Sequence, residues 1–285
     1  MFLGVDLFRD LFFIGQKNKG FLTQEFMKKT TKKDLISHLK NDLKIEKQDI
    51  VFLFSAVWGL GILENGIDTI TEAFEEVLPE GLLIVPTFSY SWCKNEAFSP
   101  EETPCPDMGV YADSVWKDSK FVRTNQPNFS VCFLKNEYNG TLIKELSAID
   151  HTCFGKGSIF GKLNKTFNDR NSHILLLGGA FKDCLFRCTF IHMVQRKVGV
   201  PNRYIKKFYN PSNNGEYVEQ LVRFQPGEGK KELVEDFSQL GEDLFEAGLL
   251  TKNSLAYYDT RAVKVPEFCE FYERKLREDI YYCLK

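Results

Sequence analysis

The order of apolar and polar residues in the first third of the chain predicts helices that alternate with buried strands. Thr31 and Asp34 form a capping signal, and apolar residues at helical spacing then predict a helix over Lys32–Leu43. Two short apolar runs, Ile50–Phe54 and Leu82–Val85, predict buried strands, and the residues between them carry the spacing of a second helix. A strand, a helix and a strand in this order make a βαβ unit, so we expect the two strands to be parallel.

The rest of the chain combines a long aperiodic stretch with further predicted elements. From Thr87 to Phe121 the periodicity is lost, and a stretch of this length inside a folded chain is typical of a functional loop. Phe129–Leu134 and His173–Leu177 predict more strands. Apolar residues at helical spacing over 233–244 and 268–280 predict two late helices.

Length and composition are those of a folded protein without a basic or membrane-spanning character. We expect one α/β domain over residues 1–285, with a largely parallel central sheet flanked by helices, residues 1–29 as a lead-in and 87–121 as an active-site loop. The net charge of −2 argues against a nucleic-acid partner, because phosphate contacts need a basic footprint. Charged residues interrupt the apolar N-terminal stretch, so we expect a cytoplasmic protein without membrane insertion.

The cysteines and histidines show no spacing typical of a metal site. Eight cysteines are scattered without a CxxC pair, and four histidines are spread along the chain. A chain of this length stabilises itself by burying its core and does not require disulfides. We therefore expect reduced thiols and no bound metal.

Two segments at the expected rim of the sheet hold residues suited to ligand binding, since ligands of parallel sheets bind beyond the carboxyl ends of the strands. Ser55–Gly61 follows a predicted strand, and Arg123–Ser130 is a polar turn that leads into one. Ser55–Gly61 contains glycines that allow close backbone approach but lacks the patterns of the dinucleotide and phosphate loops. A cofactor loop and an ordinary turn are both compatible with it. Arg123 is suited to a bidentate phosphate contact, with hydroxyl groups from Thr124 and Ser130, and a solvated arginine is the alternative.

His192 is the candidate general base. It lies in Thr189–Gln195, which follows a predicted strand and reads as the start of a helix. An imidazole with an ordinary pKa of about 6.5 takes up and returns protons near neutral pH. Two alternatives stay open, a core histidine bonded to a carbonyl group and a Cys–His pair formed with Cys184 or Cys188.

A set of short motifs, taken in order along nearly the whole chain, carries a resemblance to a known family. The motifs are Thr31–Asp34, Phe54–Gly61, Gly81–Phe88, Thr103-Pro104, Met108-Gly109, Arg123-Thr124, Pro127, Ser130, Phe154-Gly155, Gly157-Ser158 and Thr189–His192, followed by the two C-terminal helices. Together they resemble the aminoglycoside 3-N-acetyltransferase family. The runs Phe154–Leu163, Cys188–His192 and Val200–Tyr204 are similar to its branch that is encoded with bacterial surface-glycan genes.

This resemblance implies an acyltransferase that moves an acetyl or longer acyl group from acyl-CoA to the amine of a nucleotide-linked deoxy amino sugar. The nucleotide is dTDP or UDP, and the product serves lipopolysaccharide or capsule biosynthesis. The implied mechanism is direct transfer in a ternary complex, with His192 as general base and backbone N–H groups stabilising the oxyanion. Acyl-CoA is a co-substrate, no metal takes part, and a homodimer is one candidate for the oligomeric state.

The resemblance also implies roles for other residues. Those assigned to coenzyme A are Ser55, Ala56, Val57, Gly59 and Gly61 at its pantetheine and pyrophosphate, and Arg123, Thr124 and Ser130 near the thioester. Those assigned to the acceptor sugar are Phe88, Tyr90, Trp92 and Thr189. Glu96 is assigned to the ammonium form of the acceptor amine.

Gln195 is the main departure from the family pattern, which usually has a glutamate three residues after the histidine. An amide orients the imidazole by hydrogen bonding but does not stabilise imidazolium by charge. We expect either a weaker base or a substitute carboxylate, such as Glu96 or Asp183. Two other functions therefore stay open: a non-catalytic protein that binds a nucleotide sugar, and an aminoglycoside 3-N-acetyltransferase in the strict sense.

Overall fold

The structure is a computed structural model that describes residues 27–150, 152–165, 170–179, 189–209, 217–225 and 233–285. Its strands are β1 (Lys29–Thr30), β2 (Ile50–Ser55), β3 (Ile62–Leu63), β4 (Leu82–Pro86), β5 (Phe121–Arg123), β6 (Val131–Leu134), β7 (Ser172–Leu177), β8 (Arg203–Tyr209), β9 (Tyr217–Arg223), β10 (Thr251–Leu255) and β11 (Tyr258–Lys264). Its α-helices are α1 (Lys32–Ser37), α2 (Asp68–Val77), α3 (Val110–Val115), α4 (Gly140–Ser147), α5 (Ile159–Leu163), α6 (Thr189–Val198), α7 (Ser238–Glu246) and α8 (Val265–Glu278).

The central sheet has the strand order β10-β11-β7-β2-β4-β6-β5. Strands β7, β2 and β4 are parallel, and the βαβ unit predicted from β2, α2 and β4 is confirmed. The outer strands pair antiparallel on both sides, so the sheet is mixed, and the prediction of a largely parallel sheet was wrong. Ala256 and Tyr257 alone connect β10 to β11, and a connection of two residues permits only an antiparallel pair.

Side chains of β2 alternate between the two faces of the sheet, and both faces are buried. Ile50, Phe52 and Phe54 belong to one hydrophobic cluster, whereas Val51 and Leu53 belong to the other. The first cluster contains core residues of α6 and α8, and the second contains those of α1 and α2. A strand covered by helices on both sides is apolar without interruption, which explains why the sequence pattern located it.

The helix predicted over residues 32–43 begins as expected and ends differently. Thr31 and Asp34 form the predicted capping box, in which each side chain bonds the backbone N–H of the other residue. The α-helical pattern stops at Ser37 and continues as a π-helical turn over His38–Asp42. A π-helical turn of five residues is too short for its different period to show in the sequence pattern.

The stretch 87–121, for which the sequence showed no periodicity, contains short helical segments. Two 3-10 turns cover Trp92–Lys94 and Pro106–Met108, and α3 follows. Each is at most six residues long, too short to produce a helical period in the sequence. The predicted lead-in up to residue 26 and the candidates Asp183, Cys184 and Cys188 lie outside the described residues.

Candidate active site around His192

The carboxyl ends of β2 and β7 meet at one edge of the sheet, where Ser55 pairs with Leu177 in register. Immediately beyond this edge, the backbone N–H of Ala56 donates to the Leu177 carbonyl at 2.9 Å. A Cβ atom on Gly59 would lie 1.9 Å from the Gly178 carbonyl oxygen. The glycine is therefore required for contact between two loops of the protein, whereas the sequence had suggested approach to a ligand.

The segment predicted to bind coenzyme A lies at this edge with part of its surface accessible. Ser55, Ala56 and Val57 are half-buried. Trp58 next to them is 66% exposed and its ring meets Tyr258 edge-on, with 4.7 Å between the centroids. Contact of this segment with coenzyme A stays a prediction.

Arg123 directs all three of its guanidinium nitrogens at protein acceptors. Its Nε lies 3.1 Å from the hydroxyl oxygens of Thr87 and Ser130. One terminal nitrogen donates to the carbonyl groups of Pro100 and Thr103, and the other donates to the Thr87 carbonyl at 2.6 Å. These bonds tie the stretch 87–121 to the sheet, so a phosphate contact by this arginine stays a prediction that would compete with them.

The two hydroxyl residues predicted beside Arg123 are also engaged inside the protein. Thr124 is 3% exposed and its hydroxyl accepts the backbone N–H of Val131 at 3.0 Å. Ser130 is fully buried and donates to the Thr87 carbonyl at 2.6 Å. Gln126 accepts two backbone N–H groups of the same connection. This polar segment shapes the link from β5 to β6.

The aromatic residues predicted to stack on the acceptor differ in burial. Phe88 and Trp92 are 3% and 4% exposed, and the Trp92 indole donates to the Phe208 carbonyl at 3.1 Å. Their burial argues against stacking on a ligand. Tyr90 is half-buried at the edge of the same aromatic cluster, and Glu96 is exposed. The side chain of Thr189 lies outside the described residues.

His192 lies in the first turn of α6 and is half-buried. Its Nδ1 lies 2.7 Å from the Oε1 oxygen of Gln195, one turn further along the helix. The ring of Phe154 covers part of the imidazole, with 5.6 Å between the centroids. The contact with Gln195 is the one hydrogen bond of the imidazole to the described residues, and it leaves Nε2 to contact a substrate.

Glu235 supplies the carboxylate of the site. The Nε2 group of Gln195 donates to its Oε1 at 3.0 Å, and Asn202 donates to the same oxygen at 3.1 Å. Arg203 binds both carboxylate oxygens, at 2.7 and 2.5 Å, and Arg223 lies 3.5 Å away. The sequence had proposed Glu96 or Asp183 for this role. The structure instead places Glu235 behind Gln195.

The backbone around Glu235 is held by the last residues of the chain. Val234 and Lys285 exchange two backbone hydrogen bonds at 3.0 and 2.9 Å, and Asp236 donates to the Cys283 carbonyl at 2.9 Å. The Glu235 side chain is 6% exposed. The backbone bonds and the burial of the side chain together restrict the movement of the Glu235 carboxylate.

The pKa values of these groups follow from burial and from the two arginines. The pKa of His192 is lowered to about 4, first by burial and then by the charge of Arg203, while the charge of Glu235 and the hydrogen bond of Gln195 oppose this shift. Burial by itself would raise the pKa of Glu235, but the hydrogen bonds and charge of Arg203 bring it to about 2. At neutral pH the imidazole is neutral and the carboxylate is charged. This is the state in which His192 accepts a proton.

Sequence reasoning did not assign Asn202, Arg203 and Glu235 to the candidate site, where the structure places them. Asn202 and Arg203 belong to the run 200–204 that carried part of the resemblance, and no role was assigned to them. Glu235 precedes α7 by three residues and has neither a motif nor a spacing that connects it with His192. Only the hydrogen bonds that Asn202, Arg203 and Gln195 make to Glu235 reveal that these residues belong together.

Metal binding and membrane insertion find no support in the described part of the chain. Among those residues, no group of three or more His, Cys, Asp or Glu side chains is arranged to hold a metal ion. No helix within them is both long enough and apolar enough to cross a membrane.

Comparisons with known proteins place the chain in a family. Its structure resembles the aminoglycoside acetyltransferase AAC(3)-IVa as apoenzyme (TM-score 0.71, 20% identity, covering 91% of this chain and 93% of the other). It also resembles AAC-IIIb as a binary complex with CoASH (TM-score 0.69, 19% identity, covering 88% of this chain and 97% of the other). A third similar structure is a histidine-to-alanine mutant of AAC(3)-IVa in complex with apramycin (TM-score 0.68, 19% identity, covering 89% of this chain and 95% of the other). No curated protein matches the sequence significantly.

These structural likenesses, at 20% identity or less, show a shared fold. The sequence itself matches a family model over residues 53–277, which is most of the chain and includes His192, Gln195 and Glu235. The chain therefore belongs to the aminoglycoside 3-N-acetyltransferase family.

Proposed function

We propose that this protein is an acyl-CoA-dependent N-acetyltransferase that acylates the amine of an amino sugar, with His192 as general base. The observation that carries this proposal is the contact of His192 Nδ1 with Gln195 at 2.7 Å, which leaves Nε2 without a hydrogen-bond partner among the described residues. The lowered pKa of His192 keeps the imidazole neutral near pH 7, so Nε2 can accept a proton. Membership of the family and the CoASH bound in AAC-IIIb support acetyl-CoA as the donor, with a longer acyl-CoA as a variant of it.

The proposed step is a direct transfer. The amine nitrogen attacks the thioester carbonyl carbon as Nε2 of His192 removes an amine proton, and a nitrogen–carbon bond forms. The tetrahedral intermediate then collapses, the carbon–sulfur bond breaks, and coenzyme A leaves with the proton that His192 returns. No acyl-enzyme forms. A well-placed general base contributes roughly 10²–10⁴-fold to such a step.

An aminoglycoside amine is the first candidate acceptor. The family is defined by this chemistry, and the related AAC(3)-IVa structure contains apramycin. A second candidate, the nucleotide-linked deoxy amino sugar with dTDP or UDP, has one observation in its favour. Near His192 the two positive charges of Arg203 and Arg223 outweigh the negative charge of Glu235, and the net positive charge suits an anionic diphosphate better than a polycationic aminoglycoside.

A thiol-release assay with acetyl-CoA separates the acceptor classes. The panel contains apramycin, gentamicin and sisomicin on one side and dTDP- and UDP-linked amino sugars on the other. We expect turnover with an amino sugar, and the higher kcat/KM identifies the class. His192→Ala should lower kcat by about 10²-fold or more with that acceptor.

Lys197→Ala is the matched control, because Lys197 lies on α6, is exposed and pairs with Glu273. It should retain the wild-type rate. Full-rate turnover by His192→Ala would contradict the proposal for His192. Binding of a nucleotide sugar without turnover across the panel would instead support a non-catalytic protein, the alternative that Gln195 left open.

A further inference from the structure

The hydrogen bonds of Gln195 determine which ring nitrogen of His192 carries the proton. A primary amide can turn over, so that either its oxygen or its NH2 group faces a given neighbour. An ionised carboxylate accepts hydrogen bonds and does not donate them. Gln195 must therefore present its NH2 group to Glu235, at 3.0 Å, which leaves its oxygen 2.7 Å from Nδ1 of His192.

We propose that Glu235 is the positioning residue of the His192 base and acts through the Gln195 amide. Glu235 fixes the amide, the amide oxygen fixes the proton on Nδ1, and Nε2 keeps the lone pair. The role of Nε2 in catalysis rests on the proposed function. The tautomer itself is a property of the resting protein, so the two can be tested separately.

The contacts of Glu235 suit a carboxylate that does not rotate. Its Oε1 receives hydrogen bonds from Gln195, Asn202 and the Nε of Arg203, and its Oε2 receives one from the terminal nitrogen of Arg203. The acceptor oxygen that faces Gln195 is therefore held in place by the donors of Asn202 and Arg203. Asn202 and Arg203 lie where the chain leaves α6 and enters β8. The donors that hold the Glu235 carboxylate therefore follow directly after the helix that carries His192.

Gln195 transmits orientation without placing a negative charge against the imidazole. A glutamate at this position would contact Nδ1 directly and favour imidazolium, whereas here the carboxylate lies one side chain further away. The charged groups that face His192 are then Arg203 on β8, Arg223 on β9 and Glu235. This arrangement yields a correctly oriented base that stays neutral well below pH 7.

The direct test is the tautomer of His192, read from the NMR chemical shifts of its two imidazole nitrogens at pH 7. In the wild type we expect the proton on Nδ1. In Glu235→Gln the new amide both donates and accepts, so Gln195 is free to turn over, and we expect a substantial population with the proton on Nε2.

Glu219→Gln is the matched control. Glu219 pairs with Arg196 on α6 at 2.8 Å, so this variant also removes a carboxylate that faces the helix of His192. Gln195 takes no part in that pair. The tautomer and kcat should both stay as in the wild type.

Kinetics test whether the effect passes through Gln195. Glu235→Gln should lower kcat by about tenfold to 10²-fold while the KM for acetyl-CoA changes little, because the base is disoriented and the cofactor contacts are not. Gln195→Met removes the amide but keeps the Glu235–Arg203 pair, so it tests the same contact if Glu235→Gln fails to fold. In the Gln195→Met background, Glu235→Gln should cause no further loss of kcat.

A charge swap provides the rescue. In Gln195→Glu/Glu235→Gln the carboxylate contacts Nδ1 directly, so the proton returns to Nδ1 and kcat should recover to within about threefold of the wild type. The titration midpoint of His192 should rise above its wild-type position, since the negative charge is now adjacent. A merely structural role of Glu235 predicts neither change.

The outcomes separate the two proposals. A folded Glu235→Gln with the wild-type tautomer and kcat would overturn the role of Glu235 and leave the acetyltransferase proposal intact. A changed tautomer together with no turnover by the wild type on any acceptor would support the role of Glu235 and count against the proposed function. Additive losses of kcat in the double variant would show that Glu235 does not act through Gln195.

Discussion

Two half-buried arginines, Arg123 and Arg203, both donate to several acceptors within the protein, and the acceptors differ in charge. Arg123 donates to hydroxyl and carbonyl groups, which are neutral, and its bonds hold a long loop. Arg203 donates to both oxygens of Glu235, which in turn holds Gln195. The first arginine therefore stabilises a loop, whereas the second connects to His192 through Glu235 and Gln195.

The largest effect that tests this comparison is a loss of stability on replacing Arg123. Arg123→Met leaves the carbonyl groups of Pro100 and Thr103 without their donor, so the free energy of unfolding should fall by about 3 kcal/mol in a urea titration. The tautomer of His192 should not change. Arg274→Met, at an exposed position on α8, is the control. It loses a cation–π contact with Phe271 and should shift stability by less than about 1 kcal/mol.

Unchanged stability of Arg123→Met together with a raised KM for acetyl-CoA would reverse this assignment. It would support the phosphate clamp that the sequence predicted for Arg123.

The next effect is expected at Arg203 and concerns rate. Arg203→Lys keeps a positive charge but loses the paired hydrogen bonds to Glu235, so the carboxylate is held less firmly and kcat should fall by about tenfold. Initial-rate kinetics with saturating acetyl-CoA measure this change. Arg277→Lys, on the exposed pair with Glu273, should keep the wild-type kcat, and an equal loss there would contradict the assignment.

The smallest effect is a pH dependence of stability. The pKa of His192 is about 4 in the folded protein and about 6.5 when unfolded, so the unfolded state binds more protons between these values and stability falls as the pH falls. Between pH 6.5 and 5.5 the free energy of unfolding should fall by about 1 kcal/mol relative to His192→Gln. Equal pH dependence in the two proteins would show that the pKa of His192 is not lowered.

The elements that the sequence predicted are those whose local pattern and tertiary environment agree. Strands β2, β4, β6 and β7 and helices α2, α7 and α8 coincide with apolar runs or helical spacing, because each has buried faces that require them. Strands β5, β10 and β11, at the two ends of the sheet, were not predicted. Strand β10 is largely exposed, so its residues need no apolar alternation and leave no signal.

The candidate site divides in the same way. His192 was predicted as the base at the start of a helix, and the structure confirms the helix. The surroundings of the imidazole lower its pKa to about 4, while its catalytic role stays a proposal. Arg123, Thr124 and Ser130 form a polar cluster in the sequence, which made them ligand candidates. Their hydrogen bonds are directed into the protein, and a sequence cannot show the direction of a side chain.

The sequence by itself determined the family, the βαβ unit and the helix that carries His192, because these depend on residues close together in the chain and on periodic burial. Only the tertiary structure decided that Glu235, forty residues after Gln195, supplies the carboxylate and that the outer strands run antiparallel. Contacts between distant segments depend on how all the elements pack, and a hydrogen bond across that distance leaves no pattern in the order of the amino acids.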